Sequence, residues 1–185
     1  MYDEDKTNEA NRLIRSGDLI MAARYIEKMI ENDHSSELYT ASARCYFLHA
    51  QGNSNGEGFE DAVRILIRAI KDYPNDANIH AQLATYLSLG TLDYVMAAEE
   101  CRIALNLNPC NLSALLSGSY LYGVPDNVVS LDEAIQWTER ILELNPIDTQ
   151  ALHVRLSYLY KESHQHEKAS RERVKSLLLG ADSII

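Results

Sequence analysis

His164 and His166, with Glu162 and Glu167 beside them, cluster at one turn near the end of the chain. Two imidazoles spaced two residues apart can share a metal ion if the turn brings a carboxylate round to the same side. The plainer reading is a polar surface turn, since no outer group is in place to orient the rings. His49, His80 and His153 each stand alone on a separate segment, suited to a pH-sensitive contact or to an ordinary polar lining. Cys45, Cys101 and Cys110 form no CxxC pair and are odd in number. Scattered thiols of this kind suit a reducing compartment better than a disulfide framework. No histidine pattern beside Cys101 points to a nucleophile, so the thiols read as core or loop residues. No GxxxxGKS or GxxxxGKT, GxGxxG or GxSxG motif occurs either. The expectation is a protein without catalytic residues, cofactor or metal, with His164 and His166 as the single route to another answer.

The elements that carry these residues repeat. Alanine recurs at Ala22, Ala62, Ala97, Ala134 and Ala169, with gaps of 40, 35, 37 and 35 residues. Pro74, Pro109 and Pro146 each lie 12 residues after one of them. A period in the mid-thirties marks an array of helix–turn–helix units. In each such run the apolar side chains fall at steps of three, four and seven, as in Ala97, Cys101, Ala104 and Leu105, so they share one helical face. The alanine is small because a partner helix crosses there. The prolines follow the last turn, where a missing N–H ends a helix. A second marker keeps the same period: Tyr46-Phe47, Tyr86-Leu87, Tyr120-Leu121 and Tyr158-Leu159, each after a small residue. Turn signals separate the two helices of each pair, and Ser130-Leu131-Asp132-Glu133 reads as a capping box opening the helix of Ala134. The polar, glycine-rich stretch 51–58 accounts for the longest gap and is expected to be an exposed, mobile loop.

Three stretches then carry a family resemblance: Gly17-Asp18-Leu19-Ile20-Met21-Ala22, AAEECRIALNLNP over 97–109 and DEAIQWTERILELNP over 132–146. On these the chain resembles the tetratricopeptide repeat (TPR) family along nearly all its length. Five repeats are expected, at 3–36, 37–76, 77–110, 111–148 and 149–185, forming a single solenoid domain over 1–185. The first and fifth copies lack the closing proline (His34 and Ala181 stand there), and the fifth has Ser163-His164-Gln165-His166 where a glycine is usual. Terminal copies of an array are commonly atypical. The resemblance implies an all-α, right-handed superhelix of antiparallel helix pairs, with the first helix of each pair lining a concave groove that binds a protein segment.

Charge narrows the partner. The net charge is −10, which disfavours nucleic acid and anionic membranes as main partners. No apolar run is long enough to span a bilayer, and the acidic start lacks the pattern of a secretory signal. A cytoplasmic or nuclear location is expected. The segments 77–90 and 111–123 contain no Asp, Glu, Lys or Arg, and the whole run 103–125 is uncharged. With the family geometry the groove-facing side chains are Leu48, His49, Thr85, Leu112, Leu115, Ser119, Tyr122, His153 and Tyr160. Tyr122 and Tyr160 would be anchors for an uncharged or amphipathic segment. The alternative is that these residues only pack the helix pair. The positions of a family carboxylate clamp hold Thr7, Asn11, Ser42, Asn78, Gln82 and other neutral residues, so an acidic chaperone tail is not the expected ligand. Two other functional readings stay open: a homodimer that covers 103–125, or the regulatory portion of a larger enzyme. Arg171, Arg173 and Lys175, with Lys161 and Lys168 nearby, make the last helix either a solvated cap or a docking face for an acidic partner. Trp137 is either an exposed convex anchor or a buried contact.

Overall fold

The computed structural model describes residues 4–53, 55–144 and 149–182. Among them are ten α-helices and no strand. They follow one another as five pairs: α1 (Glu4–Arg15) with α2 (Leu19–Ile30), α3 (Ser36–Gly52) with α4 (Phe59–Asp72), α5 (Ala77–Tyr86) with α6 (Tyr94–Leu107), α7 (Leu112–Tyr120) with α8 (Leu131–Leu144), and α9 (Gln150–Glu162) with α10 (His166–Asp182). Each helix packs on its pair partner and on the next element along the chain, and α5 also lies beside α7. This is an all-α solenoid.

The helices start and stop where local chemistry directs. Ser35, Asp76 and Asn111 accept hydrogen bonds from the free N–H groups at the starts of α3, α5 and α7. The expected capping box at α8 is present: Ser130 N–H donates to Glu133 Oε2 at 3.0 Å, and Glu133 N–H donates to Ser130 Oγ at 3.2 Å. Pro74 and Pro109 lie just beyond the ends of α4 and α6. Pro146 and Ser54 lie outside the described residues, as do the side chains of Thr7 and Ala181. In the turn between α9 and α10, His164 adopts a φ of 59°, the left-handed conformation that Gly17 takes between α1 and α2 at 81°. A histidine thus closes the fifth turn in place of glycine.

Alanine is the contact residue between paired helices. Ala22, Ala62, Ala97 and Ala134 are fully buried, and Ala169 nearly so. At the fourth pair the approach is closer still: a methyl on Gly118 would stand 2.6 Å from the Trp137 ring. Trp137 is therefore a half-buried contact within its own repeat, packed against the core, and not an exposed anchor. Between the second and third pairs, Phe47 stacks on Tyr86 with centroids 4.0 Å apart and meets Phe59 at 5.3 Å. The Phe59 ring in turn leaves no room for a side chain at Gly90, which lies in a π-helical turn over Leu87–Thr91.

The stretch 51–58 departs from the expectation of a simple exposed loop. α3 runs on through Gly52, and Gly58 is buried with φ 113°, where a Cβ would lie 2.8 Å from the Tyr46 carbonyl. Residues 51–53, 55 and 57 are exposed. The reason is steric: glycine lets the chain pass against the α3 backbone before α4 begins.

Two outcomes follow from these contacts. Gly118→Ala gains about 1 kcal/mol of helix propensity, yet overpacking against Trp137 costs about 1–3 kcal/mol. Net destabilisation, with altered emission from the single tryptophan, is expected in chemical denaturation followed by fluorescence. Glu133 is held at a pKa of about 2, chiefly by its hydrogen bond from Arg102 and further by Ser130, against the opposing effect of burial. A carboxylate depressed from 4.5 contributes stability above that value and loses it as pH falls from 4.5 toward 2. Glu133→Gln should cost about 1 kcal/mol at pH 7, and the gap between variant and parent should close over that acidic range.

Candidate functional site

His34, His80 and His153 are engaged with carboxylates of other elements as struts. His80 is buried, with Nδ1 2.5 Å from Glu100 Oε2 and Nε2 3.0 Å from the Pro74 carbonyl oxygen. Both ring nitrogens face oxygen acceptors, so a proton must lie between Nδ1 and the carboxylate. In the last pair His153 Nδ1 stands 2.5 Å from Glu172 Oε2. Burial pushes the Glu172 carboxyl up, but hydrogen bonds from Lys175 and His153 outweigh it and hold it below its ordinary value. His34 Nδ1 lies 3.0 Å from Asp72 Oδ2, and Tyr39 donates to the same oxygen at 2.6 Å. The His164 and His166 rings sit edge to face at 6.1 Å. Among the described residues no group of three or more His, Cys, Asp or Glu side chains is placed to hold a metal ion.

What the fold does build is a trough along the first helices. One concavity of about 480 Å³ lies between α1 and α3 and reaches Gln82 of α5. A second, about 420 Å³, runs from Thr40 of α3 across α5 to Ser113 of α7. A third, about 340 Å³, lies between α5 and α7 and is floored by Leu89, Leu116, Tyr120 and Val124. Thr40 and Gln82 belong to the first two and Thr85 to the last two, so the three run together. Arg44 is the one charged residue in their combined lining. Polar atoms on the walls are tied down: Thr85 Oγ1 donates to the Ala81 carbonyl, which leaves Ser117 to donate to Thr85 at 2.8 Å.

The sequence-derived groove residues divide. Leu48 and Thr85 line the trough. Leu112 is exposed on α7 without lining these concavities, and His49 is half-buried, its Nε2 2.6 Å from Asn53 Nδ2 at the end of α3. Leu115 and Ser119 are buried in the repeat, and Tyr122 packs against the core. His153 is engaged by Glu172. Tyr160 is buried, and its hydroxyl donates to Glu139 of α8, an arrangement in which burial first and then the carboxylate push the phenol up. Leu115, Ser119, Tyr122, His153 and Tyr160 therefore do not form a ligand-facing surface in this structure.

The error has a definite cause. The tyrosine doublets are not equivalent positions. Counted from the residues that precede the first helices (Ser35, Asp76, Asn111 and Thr149), Tyr46 is eleventh, Tyr86 tenth, and Tyr120 and Tyr158 ninth. Each step turns a side chain by about 100°. Tyr46 and Tyr86 are accordingly buried, whereas Tyr120 and Tyr158 are 50% and 52% exposed. Counting from the helix starts would have found the fifth, sixth and ninth positions: Leu116, Ser117 and Tyr120 on α7, and Val154, Arg155 and Tyr158 on α9. It also finds Arg44, which amends the expectation of a lining without charge, and Arg155, which stands beside the trough against the Tyr120 ring. The Arg155 guanidinium carbon lies 4.3 Å from the Tyr120 ring centroid, and its Nη2 donates to the Ser119 carbonyl. Its Nε is buried with no partner among the described residues, and burial pulls its pKa below the ordinary arginine value.

Comparisons with solved structures agree on the architecture. MamA from Desulfovibrio magneticus RS-1 superposes with a TM-score of 0.75 at 18% identity, over 97% of this chain and 95% of that one. A second MamA crystal structure gives 0.75 at 16% identity, over 95% and 96%. YrrB, described as a TPR protein with an unusual peptide-binding site, gives 0.72 at 19% identity, over 97% and 87%. No protein-family model and no curated protein matches the sequence.

The two kinds of tyrosine should separate in mutagenesis. Tyr160→Ala removes a buried ring and is expected to cost about 3–5 kcal/mol. Tyr120→Ala removes an exposed ring and its cation–π contact, at no more than about 1 kcal/mol. Denaturant midpoints of the two variants check the assignment.

Proposed function

This chain has the fold of a tetratricopeptide-repeat solenoid, and from that premise we propose that it is a non-enzymatic protein–protein interaction module. Its trough holds an extended or helical segment of a partner. The observation that carries this reading is the continuity of the three concavities, with one charged lining residue, in a chain of net charge −10. Leu48, Leu89, Leu116 and Tyr120 are exposed along or beside it and supply apolar anchoring area. Arg44 in the lining and Arg155, stacked on Tyr120 beside it, are separate cations among apolar residues. They suit an amphipathic segment with isolated carboxylates better than a continuous acidic tail. Stacked helices preorganise the walls, so little ordering cost falls on the protein when the segment docks. Peptide recognition is within the reach of the fold, as YrrB is described as having a peptide-binding site. His34, His80 and His153 are bonded to Asp72, Glu100 and Glu172.

Self-association is the second reading, supported by the exposure of Ile103, Leu107 and Leu112 in the uncharged run 103–125. A light-scattering series in concentration separates the two.

A random peptide library selected against the protein tests the groove. Enriched peptides should bind Leu116→Ser/Tyr120→Ala roughly 30- to 100-fold more weakly, about 2–3 kcal/mol for two anchor positions, with unchanged helical circular dichroism. Equal binding to that double variant would rule the trough out.

A further inference from the structure

Helix α10 exposes a face that its counterparts largely cover, Ile67 of α4 at 37% exposure excepted. On the second helices, the residues one, five and eight positions after the packing alanine turn toward the following repeat. Ala98 and Ile135, at the first of these, are buried. Arg102, at the second, donates to Glu133 and to the Val128 carbonyl of the next repeat, and Glu139 accepts from Tyr160 of the next repeat. Leu105, at the third, packs against a cluster that includes Ala114 of the next first helix. On α10 the corresponding residues are Ser170, Val174 and Leu177. Val174 is 55% exposed, Leu177 61% and the adjoining Leu178 63%. These three stand at spacings of three and four and form one strip. Four residues after the alanine the contrast recurs: Ile26, Leu66, Cys101 and Thr138 are buried, whereas Arg173 is exposed.

Two arginines, Arg171 and Arg173, flank the strip on either side, with the carboxylate of Glu167 before it on the same helix. Arg173 has no acidic partner among the described residues, and Arg171 is bonded only to the exposed Glu167 of its own helix. A second copy pairing through the same strip would bring like arginines together around it, which disfavours that occupant.

We propose that this end of the solenoid docks an amphipathic α-helix of a partner protein. The helix sits where the first helix of a sixth repeat would lie, as α9 sits on α8. Its apolar side chains cover Val174, Leu177 and Leu178, and its acidic side chains face Arg171 and Arg173. The surface is separate from the trough and can be occupied while the trough is filled.

The probe is a synthetic helix of about 18 residues with leucines at spacings of three and four, flanked by glutamates, and a control with lysines in their place. Fluorescence anisotropy should show the glutamate helix binding about tenfold or more tightly than the lysine helix. Amide exchange should slow in α9 and α10 on binding. Val174→Ser/Leu177→Ser should weaken it about tenfold with circular dichroism unchanged, and Arg171→Glu/Arg173→Glu should reverse the charge preference. Equal affinity for both helices, or protection confined to α3, α5 and α7, overturns the proposal. So does a dimer in light scattering that Val174→Ser/Leu177→Ser dissolves, since a second copy then covers the strip.

Discussion

Close approach of two helices at a single small residue is the contact on which the rest of this solenoid depends. Ala22, Ala62, Ala97 and Ala134 are each sealed between the helices of a pair, and Ala169 is nearly so. A larger side chain there would hold the axes apart. The residues one turn later would then lose their burial, and with it the stacking of one pair on the next. Because each repeat touches little beyond its neighbours, that stacking is the main long-range order the chain has. The aromatic junction of Phe47, Tyr86 and Phe59 shows the same dependence, with Gly90 leaving the space that Phe59 fills.

One position in the pair is filled in two chemically different ways. Four residues after the residue preceding the first helix, and three after the alanine of the second, stand His80 and Glu100 in the third repeat and His153 and Glu172 in the fifth. In the fourth repeat the same places hold Leu115 and Trp137, with Gly118 making room for the indole. A buried hydrogen-bonded pair and an apolar pair of similar bulk are close in stability, so either can serve. This explains why histidines that suggest chemistry in isolation are structural here. Their geometry joins two helices and leaves no ring nitrogen of His80 for a ligand.

The trough and the α10 strip arise from one rule applied at different places. A first helix has an inner face toward its partner, an edge toward each neighbouring repeat, and an outer face along which the concavities lie. The outer faces of α3, α5 and α7 merge because the repeats stack. The edge of α10 is exposed at Val174, Leu177 and Leu178. Charge differs between them as well: the trough lining carries Arg44, and Arg171 and Arg173 stand beside the strip, in a chain of net charge −10.

Periodicity alone was enough to read the solenoid. The alanine spacing, the helix-ending prolines and the Ser130–Glu133 capping box are local or translational signals, and each depends on residues near in sequence. Leu48 and Thr85 were likewise legible as trough residues. The lining on α7 was not, because a tyrosine doublet that slides by two residues relative to the helix start rotates a face by roughly half a turn. No single repeat reveals that slide; it becomes visible when neighbouring helices decide which tyrosines are buried. The burial of Tyr160 against Glu139, the stacking of Arg155 on Tyr120 and the pairing of His80 with Glu100 join residues 20 or more positions apart. Sequence by itself determined the helices and their repeat, since those are set by hydrogen bonds and side chains within a turn or two. Only the tertiary structure decided which faces are buried and which are left open, because that depends on how one pair rests on the next.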